Sequence, residues 1–148
     1  MHVLQQCITS FIASAAFGII FNCPKNALVK CGLVGMMGWL MYILLVAFNV
    51  NVVLANLLAA FFIAVIGQSF ARMYKMPMII FSVAGIIPLV PGGMAYDAMR
   101  HFVQNDYSSA VQLSAKVFLL SGAIAVGLIL SEVSNQMYRK LRSLKQGA

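Results

Sequence analysis

Gly85-Ile86-Ile87-Pro88-Leu89-Val90-Pro91-Gly92-Gly93 interrupts an apolar stretch of this chain. Pro88 and Pro91 each lack an amide donor, and Gly92 and Gly93 permit left-handed turns, so the sequence predicts a broken helix here. At membrane depth, irregular backbone is tolerated only where protein buries it or where it lines a wet cavity. Because interrupted helices form substrate and ion sites in many secondary transporters, this stretch favours a transport role.

The composition around this stretch is that of an all-α integral membrane protein. Of the 148 residues, 62% are hydrophobic and 9% are charged, and the mean hydropathy is +0.93. A soluble domain of this size could not keep so much apolar surface away from water. The formal charge of +7 is the kind of surplus that marks cytoplasmic ends of membrane helices, so we expect no nucleic-acid partner.

The apolar segments predict a bundle of about five transmembrane helices, the fourth broken by the Pro/Gly motif. A membrane-crossing helix needs about 20 apolar residues. The segments that approach this length are roughly 3–21, 32–48, 52–71, 76–91 and 113–134. The first has no basic region ahead of it and is expected to be a span rather than a signal peptide. Segment 76–91 is short and could instead be a re-entrant hairpin, which would leave four spans.

Basic residues predict the orientation of the bundle. In a five-span arrangement, one side receives eight of them, and the other side receives only Arg100 and Lys116. The positive-inside rule then places the N-terminus outside and the C-terminus inside. The eight are Lys25, Lys30, Arg72, Lys75, Arg139, Lys140, Arg142 and Lys145, and the last four belong to a basic C-terminal tail, 137–148.

An amphipathic surface helix is expected over 94–104, directly after the break. Apolar pairs recur there with a spacing of four. Asp97 is close enough along the helix to pair with Arg100 or His101. Alternatively, Tyr96 and Asp97 form an outer gate or a proton site. Asn105 and Asp106 are expected to end this helix and cap the next one.

Small residues recur at helical spacing in three spans and predict close helix packing. The three glycines of the second span lie within an arc of about 120° on a helix with 3.6 residues per turn. The alternative is that these faces line a substrate path. The residues concerned are Gly32, Gly35, Gly38, Ala60, Ala64, Gly67 and Gly127.

The polar groups in the apolar segments are few. Glu132 is an ionisable residue within a span, which makes it a candidate for proton coupling, although interface solvation could also satisfy it. The turn at Asn22 and Pro24 is a further candidate for the substrate or gate region. The sequence predicts no metal, no cofactor and no enzyme activity, because none of the usual catalytic or metal-binding motifs is present. Cys7, Cys23 and Cys31 are expected to be packed or free thiols.

Three phrases of the sequence resemble the C-terminal half of the threonine/serine exporter family. They are Ala16-Phe17-Gly18-Ile19-Ile20-Phe21-Asn22-Cys23-Pro24-Lys25, the glycine-rich Cys31-Gly32-Leu33-Val34-Gly35-Met36-Met37-Gly38-Trp39, and Gly85-Ile86-Ile87-Pro88-Leu89-Val90-Pro91-Gly92-Gly93-Met94-Ala95-Tyr96. In fused members of that family, this half follows a larger membrane half on one polypeptide. Because this chain starts at its first span, it looks like the small subunit of a split exporter.

The resemblance implies efflux of small metabolites across the bacterial cytoplasmic membrane, together with a separate larger membrane subunit that resembles the N-terminal half. It implies threonine and serine as substrates of fused members and succinate-type dicarboxylates as substrates of split pairs, so dicarboxylate and amino-acid transport both remain open. Two other roles also remain open: a structural or assembly subunit without its own substrate site, and a self-sufficient homo-oligomeric transporter. Substrate or gate residues would be Pro88, Pro91, Gly92, Gly93, Tyr96, Asn22 and Pro24, with Asp97 and Glu132 as proton-coupling candidates.

Overall fold

The computed structural model describes the backbone of residues 2–146 and the side chains of residues 3–140, and within this range it contains helices and no strand. The helices are α1 (His2–Ile20), α2 (Lys25–Ala47), α3 (Val52–Tyr74), α4 (Met78–Ile86), one 3-10 turn (Ile87–Leu89), α5 (Gly92–Val103) and α6 (Tyr107–Gln146). The predicted all-α fold class is therefore confirmed.

Four of these helices are long and apolar enough to cross a membrane: Val3–Ile20, Lys25–Ala47, Val52–Tyr74 and Tyr107–Lys140. A fifth candidate is the pair Met78–Leu89 and Gly92–Val103, whose two parts meet at an angle of 52°. This pair contains the predicted break. The protein is a multi-pass membrane bundle with one bent element.

Helices α3 and α6 run parallel to one another. The Asn56 side-chain amide donates to the Leu120 carbonyl oxygen over 3.4 Å, and the Gln68 amide donates to the carbonyl and hydroxyl oxygens of Ser131 over 3.3 and 3.1 Å. Contacts therefore advance along both helices in the same direction. The chain must return between Tyr74 and Tyr107 to the end where α3 begins, and α4 with α5 makes that passage. A re-entrant hairpin at 76–91 would have left α6 antiparallel to α3.

Glycines set the closest helix approaches, because a Cβ at these positions would meet an atom of the neighbouring helix. On α2, Gly32 faces Phe11, and Gly35 faces Ser14 of α1. At Gly127 of α6, a Cβ would lie 2.5 Å from the Leu57 carbonyl oxygen of α3. Similar approaches place Gly38 against Ile63 and Gly67 against Ser82. Around these crossings lies the apolar core, formed by Val34, Ala59, Ala60, Ile63, Leu89 and Ile124, with Ala64 also fully buried.

Four helices end in the same way, on a residue in the left-handed backbone region. The residues are Asn22, Asn49, Lys75 and Asn105, with φ between 53° and 63°. At each end the following amide donates to the carbonyl oxygen five residues earlier, as Cys23 does to Gly18 over 2.9 Å and Asp106 does to His101 over 3.0 Å. This pattern is the Schellman motif. Asparagine tolerates the left-handed region better than most side chains, which explains three of the four.

The predicted cap of the last helix is confirmed. The Asp106 carboxylate accepts from the Ser109 amide over 3.2 Å and lies 3.1 Å from His101 Nδ1. The hydrogen bonds from Ser109 and the neighbouring imidazole hold the pKa of Asp106 below its usual range. The turn between α5 and α6 is thus fixed by a left-handed asparagine and a capping aspartate.

The thiols and the tail complete the description. Cys7, Cys23 and Cys31 are free cysteines, as predicted, and Cys31 is fully buried. Of the predicted tail 137–148, residues up to Gln146 continue α6. The side chains of Arg142 and Lys145, and residues 147–148, lie outside the described part of the chain.

Candidate functional site

The break in the fourth element is a defined sequence of turns. The Val90 amide donates to the Ile87 carbonyl oxygen over 3.3 Å, which closes the 3-10 turn around Pro88. Pro91 has φ −77° and ψ 51°, and the Gly92 amide donates to the Val90 carbonyl oxygen over 2.8 Å. These values describe an inverse γ-turn. Helix α5 then begins with the Ala95 amide donating to the Pro91 carbonyl oxygen over 3.0 Å.

Gly92 and Gly93 do not use the left-handed region that the absence of a side chain permits. Both belong to the first turn of α5, and no glycine within residues 2–146 has a positive φ. The turns at Pro88 and Pro91 already redirect the chain with negative φ values. A Cβ at Gly92 or Gly93 would meet no described atom within 4 Å. These glycines instead leave the space in front of the helix start open.

The break is packed against the bundle on one side, at Leu89 and Pro91, and is exposed on the other, at Val90. Leu89 is 5% exposed and Pro91 is also buried. The 3-10 turn contacts α1, α2 and α3, whereas α5 packs against α6. Pro88 has no amide to offer the Ala84 carbonyl, so the helical hydrogen-bond ladder is interrupted within the membrane-spanning bundle. Irregular backbone therefore occurs where neighbouring helices surround it, as the membrane environment requires.

A polar groove of about 200 Å³ opens beside the break, between α1 and α2. The Thr9 hydroxyl donates a hydrogen bond to the carbonyl oxygens of Gln5 and Gln6 in its own helix, over 3.1 and 3.0 Å. Ser10 is only 6% exposed, and its hydroxyl forms no hydrogen bond with another described residue. The groove is lined by Gln6, Thr9, Ser10, Ala13, Trp39 and Pro88.

Three buried polar atoms near α4 and its break also lack a partner among the described side chains and backbone. They are the Trp39 indole nitrogen, the Ser14 hydroxyl and the Ser82 hydroxyl. Trp39 lines the groove, and Ser14 lies one helical turn beyond Ser10 on α1. Ser82 faces Gly67 on the opposite side of α4. Buried polar groups are normally hydrogen-bonded, so these three unpaired atoms are unusual.

Asn22 and Pro24 are not brought to the break. Asn22 is the left-handed residue that ends α1, and Pro24 precedes α2. Cys23, between them, lines a separate cavity of about 310 Å³ with Ile79 and Ile80, at the start of α4. From Ile79 to Pro88 the rise along the element is about 14 Å at 1.5 Å per residue. The structure therefore gives Asn22 a helix-ending role and separates both Asn22 and Pro24 from Pro88 at the break.

Tyr96 and Asp97 lie one turn beyond the break, on the exposed side of α5. Tyr96 is 70% exposed and lines a shallow surface groove with Met99, Arg100, Val103 and Gln104. The predicted pairing of Asp97 with Arg100 or His101 is wrong, because His101 instead pairs with Asp106. No ion pair of Asp97 occurs among the described side chains. The left-handed turn at Asn105 brings Asp106 back toward His101.

Glu132 lies near the other end of α6. It is half-buried and accepts from the Gln136 amide over 3.2 Å. Twenty-six residues of α6 separate it from Asp106, a rise of about 39 Å. Asp97 lies one turn beyond the break and not at the Asp106 end, and no hydrogen bond or ion pair joins it to Glu132 among the described side chains.

The other polar residues of the spans have structural partners. Asn56 and Gln68 join α3 to α6, as described above, and Arg72 donates to the Asn135 side chain at the same contact. Sequence reasoning did not select Gln6, Ser10 or Trp39. The sequence feature that could have identified the groove is the spacing of Gln6, Ser10 and Ser14, which places polar groups at i, i+4 and i+8 on one face of α1.

Comparison with known proteins gives a family for this arrangement. The family model described as Threonine/Serine exporter, ThrE matches residues 6–134, which include the groove, the break and most of α6. No solved structure matches the chain at a significant level. The match confirms the resemblance that the sequence motifs predicted. The chain belongs to the threonine/serine exporter family.

Proposed function

We propose that this protein is the membrane subunit of a secondary exporter for small carboxylate-bearing metabolites, and that it works with a separate larger membrane subunit resembling the N-terminal half of the family. The observation that carries the proposal is the broken fourth element, which is partly buried in the bundle and lies beside a groove lined by polar side chains. Family membership supports export as the direction of transport. The two-chain arrangement rests on the resemblance to one half of the fused members.

The start of α5 supports a carboxylate as the recognised group. The Gly92 amide donates to the Val90 carbonyl oxygen and the Ala95 amide to the Pro91 carbonyl oxygen. The amides of Gly93 and Met94, between them, have no acceptor within the described chain. Unpaired amides and the helix dipole attract anions at a helix N-terminus. The open space at Gly92 and Gly93 gives a small solute access to them. Succinate, threonine and serine all carry such a group.

The distribution of basic residues supports an orientation with the N-terminus outside and the C-terminus inside the bacterial cytoplasmic membrane. The Lys30 ammonium lies 3.1 Å from the centre of the Tyr74 ring, so the start of α2 and the end of α3 share one end of the bundle. Arg72 contacts Asn135 of α6 at this end as well. Positive charge gathers there, as is typical of cytoplasmic ends. Asp97 and Glu132 are then two separate candidates for proton coupling.

The first test is efflux of labelled serine and succinate from cells that lack their own exporters. The cells express this chain alone, the larger subunit alone, or both. Export only with both chains, for either solute, supports the proposal and identifies the substrate class. Export by this chain alone would replace the two-chain proposal with a homo-oligomeric transporter. Absence of export of both solutes with both chains present would contradict the proposed function.

A second test separates a transport role from a purely structural one. Gly93→Val places a branched side chain in front of the free amides of α5, and Tyr96→Phe removes a single exposed hydroxyl. Both should reduce efflux while the two chains still copurify. Gly122→Val is the matched control, because a Cβ at Gly122 also meets no described atom within 4 Å, but Gly122 lies on α6 and not at the start of α5. If copurification fails together with efflux, the break serves assembly and the chain is a structural subunit.

A further inference from the structure

Two of the three cysteines are neighbours at one end of the bundle, although they are not adjacent in sequence. Cys23 lies in the turn between α1 and α2, and Cys31 lies near the start of α2. Their thiols interact directly. Cys31 Sγ lies 3.6 Å from the Ile80 carbonyl oxygen, and Cys23 lines the cavity of about 310 Å³ that Ile80 also borders. The Cys23 amide donates to the Gly18 carbonyl oxygen over 2.9 Å, and a Cβ at Gly18 would lie 4.0 Å from Cys31 Sγ.

A third sulfur comes from another part of the chain. Met76 lies between α3 and α4 and packs against the buried cluster that contains Cys31. The members of this cluster are Ala27, Cys31, Phe81 and Ala84. Thiolate and thioether sulfur are soft ligands, which favour soft ions such as Cu(I). Structural zinc sites need four ligands, whereas the described residues contain no group of three or more His, Cys, Asp or Glu that could hold a metal.

The surroundings of the two thiols allow an ion to enter and to be held. The cavity beside Cys23 opens at the surface of the bundle, because its lining residues Phe21 and Ile79 are 52% and 68% exposed. Cys23 itself is half-buried, and Cys31 is fully buried behind it. A buried thiolate is costly unless a cation compensates its charge. Cys23 also precedes the N-terminus of α2, where the helix dipole favours negative charge.

We propose that Cys23 and Cys31 form a binding site for one Cu(I) ion, with the Met76 thioether as a third, weaker ligand. Thiols bind such ions as thiolates, so binding breaks two S–H bonds, forms two Cu–S bonds and releases two protons to the solvent. The copper stays Cu(I), no electron is transferred, and the ion with its two thiolates has a net charge of −1. A bound ion would join the turn after α1 to α2 and to the segment that precedes the broken element.

The test is a Cu(I) titration of the detergent-purified full chain, which carries no metal-affinity tag and has its thiols reduced. The coloured chelator bicinchoninate competes for the ion, and we expect the wild type to remove one equivalent from it. Cys23→Ser should raise the Cu(I) dissociation constant on the order of 100-fold, because a hydroxyl is a poor ligand for a soft ion. Cys7→Ser is the matched control and should keep the wild-type affinity. Cys7 is also a free, half-buried cysteine, but it lies about 16 Å along α1 from Gly18.

Thermal unfolding separates copper binding from a structural role of the thiols. With free Cu(I) about 100-fold above the dissociation constant, the wild type and Cys7→Ser should unfold about 5–10 °C higher than without copper. Cys23→Ser and Cys31→Ser should show no such shift. Without copper, Cys31→Ser should unfold close to the wild type, because serine keeps a donor for the Ile80 carbonyl oxygen. If Cys31→Ser does not fold, the half-buried Cys23→Ser decides the test.

Several results would overturn the proposal. They are wild-type Cu(I) affinity in Cys23→Ser, an equal loss of affinity in Cys7→Ser, and binding of Zn(II) as tight as that of Cu(I). Met76→Leu should weaken Cu(I) binding about tenfold, and an unchanged affinity would overturn the part assigned to Met76. None of these measurements involves transport, so failure of the copper site leaves the proposed export function standing, and failure of export leaves the copper site standing.

Discussion

The crossing of α3 and α6 at Gly127 should be intolerant of a single methyl group. In Gly127→Ala the new Cβ would lie 2.5 Å from the Leu57 carbonyl oxygen and 3.1 Å from both Ala60 Cβ and the Phe61 amide nitrogen. These are mainly backbone atoms of a helix, which cannot rotate away as a side chain can. The two helices must therefore separate along the contact.

The expected cost follows from overpacking, which typically destabilises by about 1–3 kcal/mol. For a protein of about this size, 1 kcal/mol corresponds to roughly 2–4 °C in Tm. Gly127→Ala should therefore unfold about 2–12 °C below the wild type. Separation of the helices would also weaken the bonds from Asn56 to Leu120 and from Gln68 to Ser131, which moves the expectation toward the upper part of this range.

The assay is thermal unfolding in detergent followed by circular dichroism, with Gly122→Ala as the matched control. Gly122 lies on the same helix, and a Cβ there meets no described atom within 4 Å. Alanine favours a helix over glycine by up to about 1 kcal/mol, so the control should unfold at or slightly above the wild-type temperature. Equal Tm values for the two variants would refute the reasoning, since the contact at Leu57 would then carry no cost.

Three further outcomes are expected. Lys75→Gly should raise the free energy of unfolding by about 0.5–1 kcal/mol, measured in the same thermal assay, because glycine adopts the left-handed region without a Cβ penalty; an unchanged Tm would contradict this. A double-mutant cycle of Gln68→Leu and Ser131→Ala should give a coupling of roughly 0.6 kcal/mol, the mean for hydrogen bonds between membrane helices, whereas strict additivity would show that the bond is not formed. The pKa of Asp106 is lowered in the folded protein, so the stability that its cap contributes to α6 is present above the usual aspartate range and is lost as the pH falls below about 4. Below that pH the Ser109 amide should exchange faster with solvent, and Asp106→Asn should remove this pH dependence.

The position of the break could be read from the sequence, but its geometry could not. Pro88 and Pro91 remove amide donors wherever they occur, so an interruption follows from covalent structure alone. Which φ and ψ values resolve it depends on the helices around it, and here a 3-10 turn and an inverse γ-turn were sufficient. The left-handed conformations that Gly92 and Gly93 permit occur at helix ends instead. Asparagine occupies three of those ends and lysine the fourth.

Which residues form the candidate site was harder to predict than the fold. Asn22 belongs to a family-like motif, but only the three-dimensional arrangement shows that it ends α1 far from Pro88. Ser10 and Trp39 each carry a single polar side-chain atom within an apolar segment, and the sequence alone does not show which face of α1 or α2 meets the break. Charge pairing failed for a similar reason: Asp106 reaches His101 through a turn that helical spacing does not describe.

The shortness of α4 bears on how the protein enters the membrane during synthesis. Nine residues extend about 14 Å, roughly half of a hydrocarbon core about 30 Å thick. The insertion machinery recognises apolar segments of nearly twice that length, and α5 is amphipathic rather than uniformly apolar. The fourth element should therefore depend on α3 and α6 for its insertion, so that its passage across the bilayer is completed only after the last helix has been translated.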